Sequence, residues 1–565
     1  MGGHVNMMDD VLISNLPPEY LRSALRTLVS QGSVTQRPFV QHVRQRLSET
    51  APELPLPKLL FPDGYNVTLT CKEFLSLTRC MFSCKLVQQS LHYLEHFLSS
   101  IREARACWSP GSELEATMET FGGDIVQAMQ ALKESKPSPT TVLEQQLMSL
   151  VSSLQDCDTY CRNVEPHPLT YPFARAERQV LDTLVILYPK SQSRLKPEPS
   201  TTEVPSITSL STENRLEYFM LGPIKVPRLF NGLWQLSSPA WGSATAEKQE
   251  SALVHLTKSG FTATDMADHY GDAELVYGCF RNRVPQQLRK HICAASKWCV
   301  FSPVERPIDG EWVLGAVRER CRRVDGRVEL LQFHWYDYAA KEYLQIIEEL
   351  VSITKSHPEL LGSVGLCNFD AEHTQEACEY LLARTGSVGL VSNQVQFSLV
   401  DSRPLKKMCP VCAQYGLRLL TYGSFSGGFL SSKWLGQPEP ELYSDSTRIT
   451  PSQRKYLGII HDWGSWGEFQ SLLRQLLSVA SKYNVALTNV ATRWVLQQPR
   501  VGAVIVGTRL GISLHAEENL CVFGFHLDRD DLQAINQIAL GNEGEKTESV
   551  FGKLGDCGSE YRAMH

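Results

Sequence analysis

Eight short apolar runs, spaced along residues 228–507, limit the folds open to this chain. The runs are RLFNGLWQL, FTATDMA, HICAASKW, VELLQFHW, GSVGLCNF, LVSNQVQF, LRLLTYGS and VGAVIVG, and helical patterns such as EYLQIIEELVSITKS separate most neighbours. Strands that alternate with helices form parallel sheets, and eight such units close into a barrel. The pattern predicts an α/β fold, a (β/α)8 TIM barrel. Two further runs, EYFMLG and KVPRLF, precede the first barrel strand and predict a hairpin on the barrel floor.

The first 190 residues show a different periodicity. Apolar residues recur at three- and four-residue spacing in LRSALRTLVSQ, TVLEQQLMSLVSSLQ and ERQVLDTLVILY, which is typical of amphipathic helices that pack on one another. The next stretch, SQSRLKPEPSTTEVPSITSLS, is rich in Ser, Thr and Pro, as linkers are. We therefore predict a separate all-α domain at 1–190, a linker at 191–211, the barrel at 212–545 and a C-terminal tail at 546–565.

Charge and composition exclude several classes of function. The 565 residues carry a net charge of -6 and a pI near 6.2, which offers no basic surface for nucleic acid. No run of about 18 apolar residues predicts a membrane span, and the start MGGHVNMMDDV lacks the basic-then-apolar order of a secretory signal. The 16 cysteines then fit reduced thiols. We expect a cytoplasmic protein without nucleic-acid or membrane partners.

Four titratable residues follow or end consecutive strand-like runs. Asp265 and Tyr270 belong to the second, Lys297 ends the third and His334 ends the fourth. The active sites of such barrels lie at the carboxyl ends of the strands. An ammonium that a carboxylate holds in place stabilises a nearby phenolate and lowers the pKa of the phenol. Tyr270 is then a general acid, Lys297 tunes it, Asp265 anchors Lys297, and His334 orients a substrate oxygen. The set predicts a carbonyl-reduction site.

In order along residues 215–540, the stretches TDMADHYG, AASKW, LLQFHWYD, SVGLCNF, SNQVQFSLVDSRP, YGSFSGGFL and AEENL resemble the aldo-keto reductase family. That resemblance implies a (β/α)8 barrel, an Asp-Tyr-Lys-His tetrad and a nicotinamide cofactor bound without a Rossmann fold. The sequence agrees in lacking a GxGxxG fingerprint after a strand. The implied activity is NAD(P)H-dependent reduction of an aldehyde or ketone to an alcohol, with Tyr270 as proton donor and a small carbonyl compound as substrate.

The resemblance also assigns residues to the nicotinamide end of the cofactor. Asn368 and Gln394 occupy the positions that hold the carboxamide, and Tyr422 occupies that of the ring stacked on the nicotinamide face. Cys367 stands where many members of the family carry Ser, which weakens one expected hydrogen bond to the carboxamide.

At the adenine end, the resemblance assigns Glu518 and Asn519. The segment VGTRLGISLHAEEN, which leads to them, is longer than in common members. The resemblance therefore leaves open which residue binds the 2'-phosphate. Arg509, with Thr508, is the best candidate because a guanidinium suits a phosphate, and His515 is its rival. The expected cofactor is NADP(H), favoured over NAD(H).

Three tryptophans, Trp234, Trp298 and Trp335, fall at or beside strand ends. By the resemblance they would line an apolar substrate pocket, and packing in the barrel core is the alternative. Cys409 and Cys412 form a CxxC pair, but no second pair completes a zinc site, so no metal is predicted.

Residues 1–190 contain no catalytic motif and carry no family resemblance. One alternative is therefore that the barrel is a non-catalytic nicotinamide sensor or docking subunit and that the helical domain does the work. Another is that the helical domain mediates self-association.

Overall fold

The computed structural model describes residues 7–189, 207, 209–210, 216–444 and 449–562. Apart from residues 207, 209 and 210, the predicted linker lies outside this described part. No helix within it is both long and apolar enough to cross a membrane.

The amino-terminal region contains helices and, among its described residues, no strand. The helices are α1 (Met7–Asn15), α2 (Pro18–Val29), α3 (Ser33–Glu49), α4 (Pro57–Leu60), α5 (Leu69–Ser83), α6 (Val87–Glu103), α7 (Glu113–Glu134), α8 (Thr141–Arg162) and α9 (Ala174–Leu187). Several begin where the sequence supplies an N-cap: the Ser112 and Thr140 side chains accept hydrogen bonds from backbone amides of α7 and α8. The all-helical prediction is confirmed.

This region has a hydrophobic core of its own, distinct from the cores of the barrel. Aromatic side chains lie at its centre: the ring centroids of Phe97 and Phe121 are 4.3 Å apart, and Phe121 and Phe173 meet edge to face at 5.9 Å. Such pairs combine a large buried apolar area with a favourable ring geometry. The helical region therefore has the packed interior of a folding unit.

Eight parallel strands close into a barrel in chain order, and the last of them pairs with the first. They are β3 (Leu229–Gly232), β4 (Ala263–Asp265), β5 (Cys293–Val300), β6 (Val328–Trp335), β7 (Leu361–Cys367), β8 (Leu390–Gln396), β9 (Arg418–Tyr422) and β10 (Val501–Gly507). Each of the eight predicted runs overlaps one of these strands, and the TIM-barrel prediction is confirmed.

Helices surround the barrel and follow its strands. They are α10 (Ala246–Lys258), α11 (Ala273–Arg283), α12 (Gln286–Arg289), α13 (Gly310–Arg323), α14 (Glu342–Ser356), α15 (Ala371–Thr385), α16 (Met408–Tyr415), α17 (Pro451–Trp463), α18 (Trp466–Tyr483), α19 (Leu487–Leu496), α20 (Ala516–Leu520), α21 (Arg529–Ala539), α22 (Glu545–Leu554) and α23 (Ser559–Arg562). The two strands before β3, β1 (Tyr218–Leu221) and β2 (Ile224–Pro227), pair antiparallel. This hairpin covers the barrel floor, where the Phe219 ring lies against Gly502 at the start of β10.

Side chains alternate between the two faces of each barrel strand. Small and aliphatic residues such as Ala263, Ala295, Leu330 and Leu420 form an inner core inside the barrel. A larger core fills the layer between strands and helices. The inner core leaves the carboxyl ends of the strands to polar side chains.

Helices α11 and α13 approach each other closely at Gly278. A Cβ at this position would overlap the backbone oxygen of Arg323, which cannot swing aside as a side chain could. We expect Gly278→Ala to lower the free energy of unfolding by about 1–3 kcal/mol. A Cβ added at Gly315, inside α13, would have no atom within 4 Å. Gly315→Ala should therefore be neutral or slightly stabilising. Urea denaturation of the full chain measures both, and equal midpoints for the two variants would contradict the packing described.

Candidate active site

Strand register brings the predicted tetrad to one end of the barrel. Asp265 ends β4, Lys297 lies in β5 and His334 is the next-to-last residue of β6. In the pairing of β5 with β6, Lys297 lies opposite Gln332, two residues before His334. Tyr270 lies in the loop between β4 and α11. All four residues are at the carboxyl ends of neighbouring strands.

A buried ion pair forms the centre of the site. Lys297 Nζ lies 2.6 Å from Asp265 Oδ2 and also donates to the Met266 carbonyl oxygen at 3.0 Å. The second oxygen, Asp265 Oδ1, accepts from the side-chain amides of Gln332 at 2.9 Å and Gln394 at 2.7 Å. Buried charges persist when they are paired and fully hydrogen-bonded. The carboxylate is therefore fixed from three directions.

The ion pair keeps Lys297 charged. Burial alone would lower the pKa of Lys297, but the Asp265 carboxylate, together with smaller contributions from Tyr270 and Cys367, raises the pKa above its usual value. The ammonium is thus a positive charge beside the Tyr270 ring.

Lys297 Nζ lies 4.8 Å from the centroid of the Tyr270 ring. Burial raises the pKa of Tyr270, and the Lys297 ammonium opposes that rise without cancelling it. The sequence predicts a lowered pKa for Tyr270, and that prediction is wrong because the effect of burial is larger than that of the Lys297 ammonium. The consequence is a phenol that stays protonated at neutral pH, which suits a proton donor.

His334 is oriented by the neighbouring strand. Its Nδ1 donates a hydrogen bond to the Cys367 carbonyl oxygen at 3.0 Å, because a carbonyl can only accept. This bond fixes the tautomer and the ring plane. The Cys367 thiol is itself buried, and burial raises its pKa to about 12, so that it is a neutral group beside the site.

The residues assigned to the nicotinamide end converge on the same edge. The backbone amide of Asn368 donates to the backbone carbonyl oxygen of Gln394 at 2.8 Å. The side-chain oxygen of Asn368 accepts from the Tyr422 hydroxyl at 2.9 Å. The Gln394 side chain donates to Gln332 at 2.7 Å as well as to Asp265. In this arrangement Gln394 supports the ion pair in addition to lying beside Asn368.

Sequence reasoning missed the C-terminal segment, residues 555–562, which lies against these residues. The Tyr561 hydroxyl is 3.2 Å from that of Tyr422 and accepts from Lys455 Nζ at 2.7 Å. Arg562 donates to the Asn368 carbonyl oxygen at 2.8 Å. No local pattern marks these contacts, because the segment follows the last strand–helix unit.

Gln332 was also missed, although a signal existed. It lies two residues before His334 in the same strand, so both side chains must be on the same face. A buried amide at that position indicates a partner inside the barrel.

At the adenine end, the assigned residues lie after β10 and on α20. The Thr508 amide donates to the Gly232 carbonyl oxygen at 2.9 Å, which ties this loop to β3. Arg509 is exposed, and exposed Glu518 pairs with His515 at 3.5 Å. Asn519 is half-buried in the same helix.

The tryptophans separate into two groups. Trp234 is 37% exposed after β3, with its ring centroid 4.8 Å from that of Trp241. Trp298 packs on Trp312 in the layer between strands and helices. Trp335 is fully buried there and donates to the Ala340 carbonyl oxygen at 3.0 Å. Only Trp234 lies toward the barrel mouth, and the other two have the core-packing arrangement that the sequence left open.

Asp268, His269 and Cys299 lie next to Tyr270, with ligand-type atoms within 4.8 Å of one another. Asp268 pairs with the Arg320 guanidinium. It also accepts from the Cys299 amide at 3.2 Å. Burial would raise the pKa of Asp268, but Arg320 and His269 hold it below its usual value. A protein cation therefore already balances this carboxylate.

Comparison with known proteins agrees with this geometry. The sequence profile of the Aldo/keto reductase family matches residues 228–540, more than half of the chain. The chain belongs to the aldo/keto reductase family. An oxidoreductase role and a nicotinamide cofactor follow at the level of the family.

Relatives of this aldo/keto reductase include the chloroplastic pyridoxal reductase of Arabidopsis thaliana, 23% identical over 346 residues that cover 59% of this chain and 88% of the relative. The NADH-specific methylglyoxal reductase of Escherichia coli (strain K12) is 19% identical over 336 residues, 56% of this chain and 95% of the relative. Flagellar radial spoke protein 5 of Chlamydomonas reinhardtii is 27% identical over 181 residues, 30% of this chain and only 33% of that protein.

The side chains of this aldo/keto reductase fit a nicotinamide dinucleotide in their polar chemistry, with Gln394 as an acceptor because both hydrogens of its side-chain amide are bonded to Asp265 and Gln332. Amides from Asn368 and Gln394 and the planar ring of Tyr422 come together at one end, and the exposed Arg509 guanidinium lies at the other. Gln235 lies against Gly507 at the end of β10, and its buried Oε1 lacks a hydrogen-bond partner among the described residues. A buried acceptor without a partner indicates a place for a donor from a ligand.

The C-terminal segment is held to the site by a close backbone approach at Gly558. Its φ is 75°, and a Cβ there would overlap the Asn368 carbonyl oxygen. Gly558→Ala should therefore detach the segment. Gly552→Ala, in α22 with nothing within 4 Å, is the matched control. We expect trypsin to cleave faster after Lys553 in Gly558→Ala only, as measured by mass spectrometry of the intact chain. Equal cleavage rates in the two variants would contradict this attachment.

Proposed function

We propose that this protein reduces an aldehyde or ketone to an alcohol, with Tyr270 as proton donor and NADP(H) favoured over NAD(H). The observation that carries the proposal is the fully bonded Lys297–Asp265 pair beneath the Tyr270 ring. Two relatives are named as reductases of pyridoxal and methylglyoxal, which are both aldehydes. Their names support a small carbonyl compound as the substrate of this chain as well.

A bound nicotinamide would supply the hydride, held by Asn368, Gln394 and Tyr422. Residues of the chain supply the proton and stabilise the charge left by its transfer. Tyr270 donates its hydroxyl proton to the carbonyl oxygen as that oxygen gains negative charge. The phenolate left behind is stabilised by the Lys297 ammonium, which the Asp265 carboxylate prevents from moving.

His334 completes the arrangement. Its bond to the Cys367 carbonyl oxygen holds the imidazole at the end of β6, in the position that we assign to orienting the substrate oxygen. Trp234, at the same end of the barrel, is the tryptophan that we assign to the substrate pocket.

Removing the Tyr270 hydroxyl tests the mechanism. We expect Tyr270→Phe to lower kcat for an aromatic aldehyde by about 10²–10⁴-fold, because proton donation is lost. Binding of NADPH, measured by fluorescence titration, should be unchanged because the ring remains.

Tyr277→Phe is the matched control, since its buried hydroxyl has no hydrogen-bond partner among the described residues. Turnover in this variant should equal that of the unmodified chain. Full activity in Tyr270→Phe would overturn the proposed mechanism. NADPH binding without turnover in the unmodified chain would instead favour the non-catalytic sensor.

The preference for NADP(H) rests on Arg509, whose exposed guanidinium suits the 2'-phosphate. The methylglyoxal reductase of E. coli is NADH-specific by name, so the family alone does not decide this point. We expect Arg509→Ala to raise KM for NADPH by about 10–100-fold, with little effect on NADH, because a charge-assisted contact is lost. His515→Ala tests the rival residue in the same assay. The larger NADPH-specific effect in His515→Ala would move the assignment to His515.

We propose a cytoplasmic location, supported by the 16 cysteines, all of which are free thiols. Self-association through residues 1–190 stays a prediction from the sequence.

A further inference from the structure

Two side chains of helix α9 reach from the helical region to the loop that carries Tyr270. Gln179 Nε2 donates to the Gly271 carbonyl oxygen at 3.2 Å. Arg175 donates from Nε and Nη2 to the two oxygens of Asp272, at 2.9 and 2.7 Å. Gly271 and Asp272 are the two residues that directly follow Tyr270.

These contacts are shielded from water. Arg175 is 6% exposed, Gln179 0% and Asp272 1%. A bidentate guanidinium–carboxylate pair fixes distance and angle together, and it does so most strongly where water is excluded. Arg175 Nη1 also donates to the Ala244 carbonyl oxygen at 3.3 Å, in the loop before α10. One guanidinium therefore holds two loops at the mouth of the barrel.

A second buried network holds the start of α11. Asp182 of α9 pairs with Lys133 at 3.2 Å and with Arg323 of α13 at 3.1 Å. Arg323 in turn pairs with Glu274, two residues beyond Asp272, at 3.1 Å. Burial would raise the pKa of Asp182, but these cations hold it well below its usual value.

The barrel itself holds the other side of the loop. The Asp268 amide donates to the Lys297 carbonyl oxygen at 3.3 Å, and the Tyr270 amide donates to the Ala267 carbonyl oxygen at 3.1 Å. The residues before Tyr270 are thus fixed by the barrel, and the residues after it are fixed by α9. Contacts from the barrel and from α9 thus meet on the two sides of Tyr270.

We propose that helix α9 is a positioning element for Tyr270, with Arg175 and Gln179 as positioning residues for proton transfer. The inference rests on the proposed function of Tyr270. Proton transfer requires the donor within hydrogen-bond reach of the acceptor, and a displacement of about 1 Å can cost about 10²-fold in rate. Loss of these contacts therefore affects kcat and leaves cofactor binding, which uses other strands, unchanged.

The test compares two variants of the full chain on the same helix. Arg175→Met removes the contact to the loop after Tyr270. Arg178→Met removes a neighbouring contact to the barrel, the pair with Glu250 of α10 at 3.1 Å, which does not involve that loop. Each variant is assayed for kcat with an aromatic aldehyde, Kd for NADPH, and the solvent deuterium isotope effect on kcat.

We expect Arg175→Met to lower kcat about tenfold or more and to increase the solvent isotope effect, with Kd for NADPH unchanged. Arg178→Met should leave kcat and the isotope effect unchanged even where it lowers the unfolding midpoint. Equal losses of kcat in the two variants would reduce α9 to a structural role and overturn the inference. If Arg175→Met does not fold, Gln179→Leu, which removes only the bond to Gly271, is judged by the same criteria.

Hydrogen exchange separates this inference from the proposed function. Exchange of the peptide spanning residues 266–273 should quicken in Arg175→Met and not in Arg178→Met, whether or not the chain turns over an aldehyde. Quickened exchange in a chain without turnover would reject the reductase proposal and keep the contact that orders the loop. Unchanged exchange and unchanged kcat in an active enzyme would reject the inference and keep the reductase.

Discussion

The Lys297–Asp265 ion pair is the interaction on which the candidate site depends. Two opposite charges inside a barrel are tolerated only if their hydrogen-bonding groups are satisfied, and the barrel provides Gln332, Gln394 and the Met266 carbonyl for this purpose. The residues that hold Asp265 come from three further strands of the barrel, so the ion pair requires the closed barrel. An ammonium beside the Tyr270 phenol follows from this arrangement.

Buried ion pairs also join the helical region to the barrel, as the Lys297–Asp265 pair joins strands within the barrel. Arg175, Asp182 and Asp272 are buried at the contact, where each finds its partner on the other unit. Removing one partner would leave an uncompensated charge in a dry environment, which is strongly destabilising. The helical region has a core of its own, yet the buried charges of Arg175 and Asp182 on α9 have partners in the barrel. Helix α9 is thus part of the architecture around Tyr270.

Most of the barrel could be predicted because its signals are local. Apolar runs separated by helical patterns indicated all eight strands. Polar residues at the ends of those runs indicated the tetrad. Strand alternation also contained unused information: Trp298 directly follows Lys297, so it had to face the helices. The contacts of Arg175 and of Tyr561 with the site join residues about a hundred or more positions apart, and such pairings leave no periodic trace. The net rise in the pKa of Tyr270 likewise required knowledge of burial.

In the proposed reaction, a bound nicotinamide would supply a hydride to a carbonyl carbon while Tyr270 protonates the oxygen. The most direct measurement supplies the full chain with NADPH deuterated at the transferring carbon and an aromatic aldehyde, and analyses the product by mass spectrometry. The account predicts an alcohol with one deuterium on the former carbonyl carbon. Binding of NADPH with no deuterated alcohol across a panel of aldehydes and ketones, and with NADH as well, would contradict it.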